Sequence, residues 1–190
     1  MLEKINWYVG EKFLMKNRLF YLSLSGVMLA LLIICSQLTV PFFMIPLTLQ
    51  TLAVGLIATL LPLNFALETI LVYLLMGALG LPVFANFRGG ISVFLSSTGG
   101  YLIGFICYVV ACDLLLKQKS FSNILLANLV GATIQLLLGS LWLMIVSNLT
   151  LSQTLLIGTV PFILPGLIKV LLVGMLGRPL SRQLQVKLKN

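Results

Sequence analysis

The 190 residues are 60% apolar and only 8% charged, against roughly 25% charged in soluble domains. That excludes a water-coated globular domain and makes a bilayer the solvent for most of the chain. Net charge is +8, from twelve Lys+Arg against four Asp+Glu, but the basic residues sit at the chain ends and in short gaps between apolar runs. This is a topology signal rather than a nucleic-acid surface. Histidine is absent, which removes histidine metal sites, triads and proton relays. The three cysteines, Cys35, Cys107 and Cys112, lie inside apolar runs without a CxxC, so they offer neither a disulfide framework nor a zinc site.

Residues 1–18 mix charges with apolar Ile5, Val9 and Phe13 at helical spacing, and carry Trp7 and Tyr8. They predict a short amphipathic helix lying on the bilayer surface. Six apolar runs follow, at about 19–38, 47–61, 65–79, 99–116, 122–146 and 160–176, each predicted as a transmembrane helix. The first ends at an uncharged loop bracketed by Pro41 and Pro46, and the second at Pro62. A long Gly-rich segment, 80–98, separates the third from the fourth, and a polar but uncharged connection, 147–159, precedes the sixth. The chain thus divides into an interfacial segment 1–18, a six-helix membrane domain 19–177 and a basic tail 178–190.

Ten of the twelve basic residues fall at the N-terminal segment, the 117–119 loop and the tail. With six helices these share one side, and the positive-inside rule makes that side the cytoplasm, with both termini there. The Pro-rich first loop, the Gly-rich segment and the start of the sixth helix then fall on the outer side. Irregular backbone at a membrane lines a cavity or is covered by protein, so a substrate pocket is expected near the outer face.

Lys169 is the sharpest single signal. It stands about 13 Å into the sixth helix at 1.5 Å per residue, three residues after Gly166 of the Pro165-Gly166 pair. Ionisable residues at such depth usually face a pocket, where an ammonium would meet an anionic or polar ligand group; the competing reading is a side chain snorkelling to the interface. Thr39, Thr48, Gln50 and Thr51, together with Asn86, Arg88, Ser96, Ser97, Thr98 and Tyr101, could converge as hydrogen-bonding groups around a small polar head, or else cap helices and face water. Gly26 and Ala30, four apart with Ser23 on the same face, form a small-residue stripe for a close-packed helix, within the chain or from a partner. There is no P-loop, HExxH or GxSxG, so ATP hydrolysis would have to come from another subunit.

The segments Pro46-Leu-Thr-Leu-Gln-Thr-Leu-Ala-Val54, Gly80-Leu-Pro-Val-Phe-Ala85, Gly89-Gly90 and Thr98-Gly-Gly-Tyr101 resemble, in order, the signature segments of the BioY family, the biotin-binding S components of energy-coupling factor (ECF) transporters. The resemblance covers nearly the whole chain. It implies six helices in the bacterial cytoplasmic membrane, cytoplasmic termini, no enzymatic activity and no cofactor. It also implies a biotin pocket near the outer face, drawing on Lys169, Tyr101, Asn86, Gln50, Thr48, Arg88 and Gly166. A further implication is docking through Gly26 and Ala30 onto a membrane T component that carries ATPase subunits. One departure stands out. The family's sixth helix reads approximately Pro-Phe-Leu-Pro-Gly-Asp, two residues, then Lys, whereas this chain has Pro161-Phe-Ile-Leu-Pro-Gly-Leu-Ile-Lys169. Aligned on the lysine, Gly166 occupies the aspartate position, so a ligand carboxylate could be the counter-ion of Lys169. An S component for another vitamin or small carboxylate is the alternative that this departure raises. An intramembrane enzyme lacks paired acid–base groups, and the polar cluster with Lys169 disfavours a ligand-free structural subunit.

Overall fold

The computed structural model describes residues 2–41 and 44–189. Among these, six helices carry the fold: α1 (Leu2–Gln37), α2 (Gln50–Leu60), α3 (Leu63–Ala78), α5 (Gly99–Leu115), α6 (Phe121–Val146) and α8 (Val160–Lys189), with one-turn helices α4 (Ile91–Leu95) and α7 (Leu151–Thr154) between them. By length and composition three stretches can each cross a membrane: Asn17–Gln37, Phe121–Val146 and Leu151–Leu184. Helices α2, α3 and α5 are apolar but shorter.

The six long helices coincide with the six predicted runs, and the departures lie at the ends. Helix α1 is continuous from Leu2, so the backbone does not break at the expected 18/19 boundary. The amphipathic face expected over 1–18 rests mostly on side chains outside the described residues. At the other end α8 continues through Pro179 to Lys189, so the expected tail is helical. Arg, Gln, Leu and Lys, all good helix formers, outweigh the one hydrogen bond that proline removes. The 147–159 connection is irregular over 147–150, with Asn148 at φ 50°, and helical from Leu151 on. Thr150 and Gln153 form a capping box that starts α7, and a π-helical stretch, Leu155–Thr159, joins α7 to α8. The first loop contains a minimal hairpin, with β1 (Thr39–Val40) antiparallel to β2 (Leu47–Thr48) and Thr39 opposite Thr48.

Helix α2 sits at the centre. Nine of its eleven residues are buried, and it packs against α1, α3, α5, α6 and α8. Close approach requires Gly55, where a Cβ would lie 2.8 Å from Val173 Cγ2 and 2.9 Å from Asn128 Oδ1 and Tyr108 Oη. These polar atoms belong to a buried network. Tyr108 Oη donates to Asn128 Oδ1 (3.0 Å), Asn128 Nδ2 donates to Thr59 Oγ1 (3.0 Å), and Thr59 Oγ1 donates to the Gly55 carbonyl (2.7 Å). A buried polar group is tolerated when it is paired in this way.

The 80–90 loop folds back over the end of α1. Gly80 and Gly90 both take positive φ, +96° and +95°, which favours glycine, and the N–H groups of both donate to the Gly77 carbonyl, closing the loop. Gln37 at the end of α1 clips it: Nε2 donates to the Phe84 carbonyl (3.1 Å) and Oε1 accepts from Phe87 N–H (2.9 Å). The Val83 carbonyl accepts from Ser36 Oγ (2.6 Å) and Tyr73 Oη (3.1 Å).

Candidate ligand-binding site

A cavity of about 380 Å³ lies among β2, the first turn of α2, the 80–90 loop, α5, α6 and α8. That is the size range of small-molecule sites, which are mostly apolar with a few fixed polar groups. Its walls include Phe84, Val93, Leu102, Phe105, Leu136, Phe162 and Ile163. Of the residues singled out from sequence, Thr48, Gln50, Thr51, Arg88, Thr98, Tyr101, Gly166 and Lys169 border it, and Thr39, Ser96 and Ser97 do not.

Asn86 does not border it. Its side chain is exposed and accepts from Thr39 Oγ1 at 2.8 Å, and its backbone is left-handed, at φ 58°. Asparagine tolerates that conformation better than most residues, so its place in the loop has a conformational reason. Gly26 and Ala30 do not line the cavity; they lie on the exposed side of α1, and a Cβ at Gly26 would meet nothing within 4 Å.

Lys169 is only 9% exposed. Its Nζ donates to Thr51 Oγ1 at 3.0 Å, which ties the middle of α8 to the first turn of α2. Among the described residues no acidic side chain lines the cavity; Glu68 and Asp113 are both exposed. A buried ammonium therefore faces an apolar chamber with one neutral hydroxyl for company. The α2 N-terminus reinforces the same sign, because the N-terminal end of the helix dipole carries a partial positive charge. An anionic or strongly accepting ligand group is favoured there. Arg88 is the second cation of the lining and is exposed.

The polar side chains around the cavity are held in place. Gln50 Nε2 donates to Tyr73 Oη (2.7 Å), and Gln50 Oε1 accepts from Thr48 Oγ1 (3.2 Å). Tyr101 Oη donates to the Gly158 carbonyl at 2.8 Å, and Ser140 Oγ approaches the same carbonyl at 3.3 Å. Gly158 belongs to the π-helical stretch, so α5 and α6 stabilise the irregular lead into α8; π-bulges occur frequently at functional sites. A little further on, Pro165 removes a helical donor next to Gly166, and a Cβ at Gly166 would meet nothing within 4 Å. That position is open space in the wall, one turn before Lys169.

Sequence reasoning did not single out Gln135 and Tyr108, which also line the cavity. Gln135 Nε2 donates to the Tyr101 carbonyl at 3.2 Å. The available signal was the pair Asn128 and Gln135, seven residues apart and therefore on one face of the otherwise apolar α6.

A sequence model of the BioY family matches residues 12–186. The chain is 36% identical over 170 residues to the biotin transporter BioY2 of Lactococcus lactis subsp. cremoris (strain MG1363), covering 88% of this chain and 93% of that one. To the biotin transporter BioY of Thermotoga maritima it is 34% identical over 159 residues, covering 83% of this chain and 94% of the relative. Among solved structures it superposes with a TM-score of 0.82 on the S component for biotin from an ECF-type ABC transporter, at 25% identity, covering 88% of this chain and 93% of that one.

Proposed function

Because the chain belongs to the BioY family, we propose that it captures biotin in the cavity around Lys169 and acts as the biotin-binding membrane subunit, the S component, of an ECF transporter. The observation that carries this reading is the buried Lys169 ammonium at the wall of an apolar chamber of ligand size that contains no acid. Biotin combines an apolar bicyclic body with a polar ureido head and a carboxylate tail. The body suits the aromatic and aliphatic walls, and the two polar ends suit the two cations, Lys169 and Arg88. Tyr101, Gln50, Thr48 and Gly166 shape the chamber between them. Binding and transport, not catalysis, are the task, and biotin is cargo rather than cofactor.

In this reading α1, α2, α3, α5, α6 and α8 are six membrane passes of a multi-pass protein in the bacterial cytoplasmic membrane, with both termini in the cytoplasm. The charge distribution supports that orientation, with residues 19–177 as the membrane domain, flanked by the interfacial segment 1–18 and the basic tail 178–190. The open side of α1 at Gly26 and Ala30 is the surface for the T component, which brings the ATPase subunits. The absence of any P-loop sequence in the chain fits that division of labour.

The test is a titration of purified protein in nanodiscs with radiolabelled biotin. Saturable, stoichiometric binding that Lys169→Ala weakens is the expected result. No saturable binding, or binding indifferent to Lys169→Ala, would remove the proposal.

A further inference from the structure

We propose that the cavity also accepts unbranched α,ω-dicarboxylates, and that Gly166 is the position that permits it; the inference builds on the ligand-capture reading above. The lining carries two cations and no acid. The two come from different elements, Lys169 from α8 and Arg88 from the 80–90 loop, and apolar residues such as Phe84, Leu102 and Phe105 line the space with them. Lys169 is buried on the hydroxyl of Thr51, at the N-terminal turn of α2, where the helix end adds positive potential. Arg88 is exposed.

Charge matching then sets the ligand class. A ligand with a single anionic end can neutralise one cation and leaves the other with, at most, a neutral acceptor. A ligand with a carboxylate at each end and methylenes between offers both cations a charge-assisted partner and gives the walls an apolar chain to cover. Its second carboxylate meets no acid, so no like-charge repulsion excludes it.

Gly166 controls this balance. It lines the cavity three residues before Lys169, on the same face of α8. Its Cβ direction is open, so a side chain there has room. A carboxylate at this position would occupy the Lys169 ammonium and repel a ligand anion. The glycine leaves the ammonium to the ligand.

The experiment uses the intact chain in nanodiscs. Labelled biotin is displaced by a series from glutarate to sebacate, each compared with the monocarboxylate of equal length, and the same dicarboxylates are titrated directly by calorimetry. At least one dicarboxylate should bind about tenfold more tightly than its monocarboxylate, the yield of one added charge-assisted hydrogen bond. Gly166→Asp should weaken that dicarboxylate about tenfold relative to Gly166→Asn, which has the same shape without the charge. Equal affinity for mono- and dicarboxylates, or equal behaviour of the Asp and Asn variants, overturns the inference even if biotin binds well. If biotin does not bind at all, the function proposed above fails, and the calorimetric arm still decides this one.

Discussion

Replacing Lys169 with methionine should weaken the ligand and leave the empty protein as stable as before, or more so. The two effects have opposite signs because the lysine is nearly all inside. At 9% exposure the ammonium has lost most of its water, and its contact with protein is one neutral hydroxyl at 3.0 Å. That hydrogen bond contributes about 1.5–3 kcal/mol, while a buried charge without a counter-ion is penalised by several kcal/mol. Methionine keeps the chain length and the apolar stem and removes both terms, so the melting temperature of ligand-free protein should hold or rise. Removing one partner of a buried charged contact costs about 2–5 kcal/mol of binding, which is a loss of about 30-fold at the low end. Biotin titration and thermal melting of the same nanodisc sample read the two quantities. A lowered melting temperature with biotin affinity changed by less than about threefold would refute the reasoning and make Lys169 a structural residue.

Three further substitutions test other parts of the structure. Gly55→Ala forces a methyl against Val173, Asn128 and Tyr108 and should destabilise the protein by about 1–3 kcal/mol, read as a lower melting temperature. Gln37→Ala removes the clip on Phe84 and Phe87; hydrogen exchange of the 80–90 loop should rise and biotin should leave faster, whereas unchanged exchange would show that the contacts of Ser36, Tyr73 and Gly77 suffice to hold the loop. Gly26→Leu adds bulk where nothing lies within 4 Å, so stability should stay within about 0.5 kcal/mol. Biotin binding should persist, and co-purification with the T component should be lost.

The helices were legible in the sequence because a bilayer demands long uncharged runs, and prolines and charges interrupt them here. Their ends were less legible. Pro179 and the basic residues after it read as a stop, yet α8 passes through them, since one missing donor does not overcome a run of strong helix formers. Lys169 was legible as the lone cation deep in an apolar run. Thr51 was legible as a polar candidate, but its pairing with Lys169 was not, because the contact joins residues 118 apart in sequence. Gln135 and Tyr108 were hidden for another reason: α5 and α6 are apolar nearly all round, and periodicity then gives no inward face. Asn86 was named for its polarity; it does not border the cavity, and its left-handed backbone is a second reason for an asparagine there.

The position of the cavity follows from the length of α2. Eleven residues span about 16 Å, roughly half of a hydrocarbon core of about 30 Å. With α2 as one of the six proposed membrane passes, the remaining thickness around it must be filled by non-helical chain, and the β1–β2 hairpin and the 80–90 loop are the candidates. Such backbone is stable in a membrane only if its polar groups find partners within the protein, and the side chains of Ser36, Gln37 and Tyr73 supply them to Val83, Phe84 and Phe87. Loop chain cannot pack as densely against α5, α6 and α8 as a full-length helix would, and the unfilled space is the chamber. The N-terminal turn of α2 borders that chamber, and Thr51 there is within reach of Lys169. A helix of ordinary length at this place would have filled the cavity and moved its positive end away from the lysine.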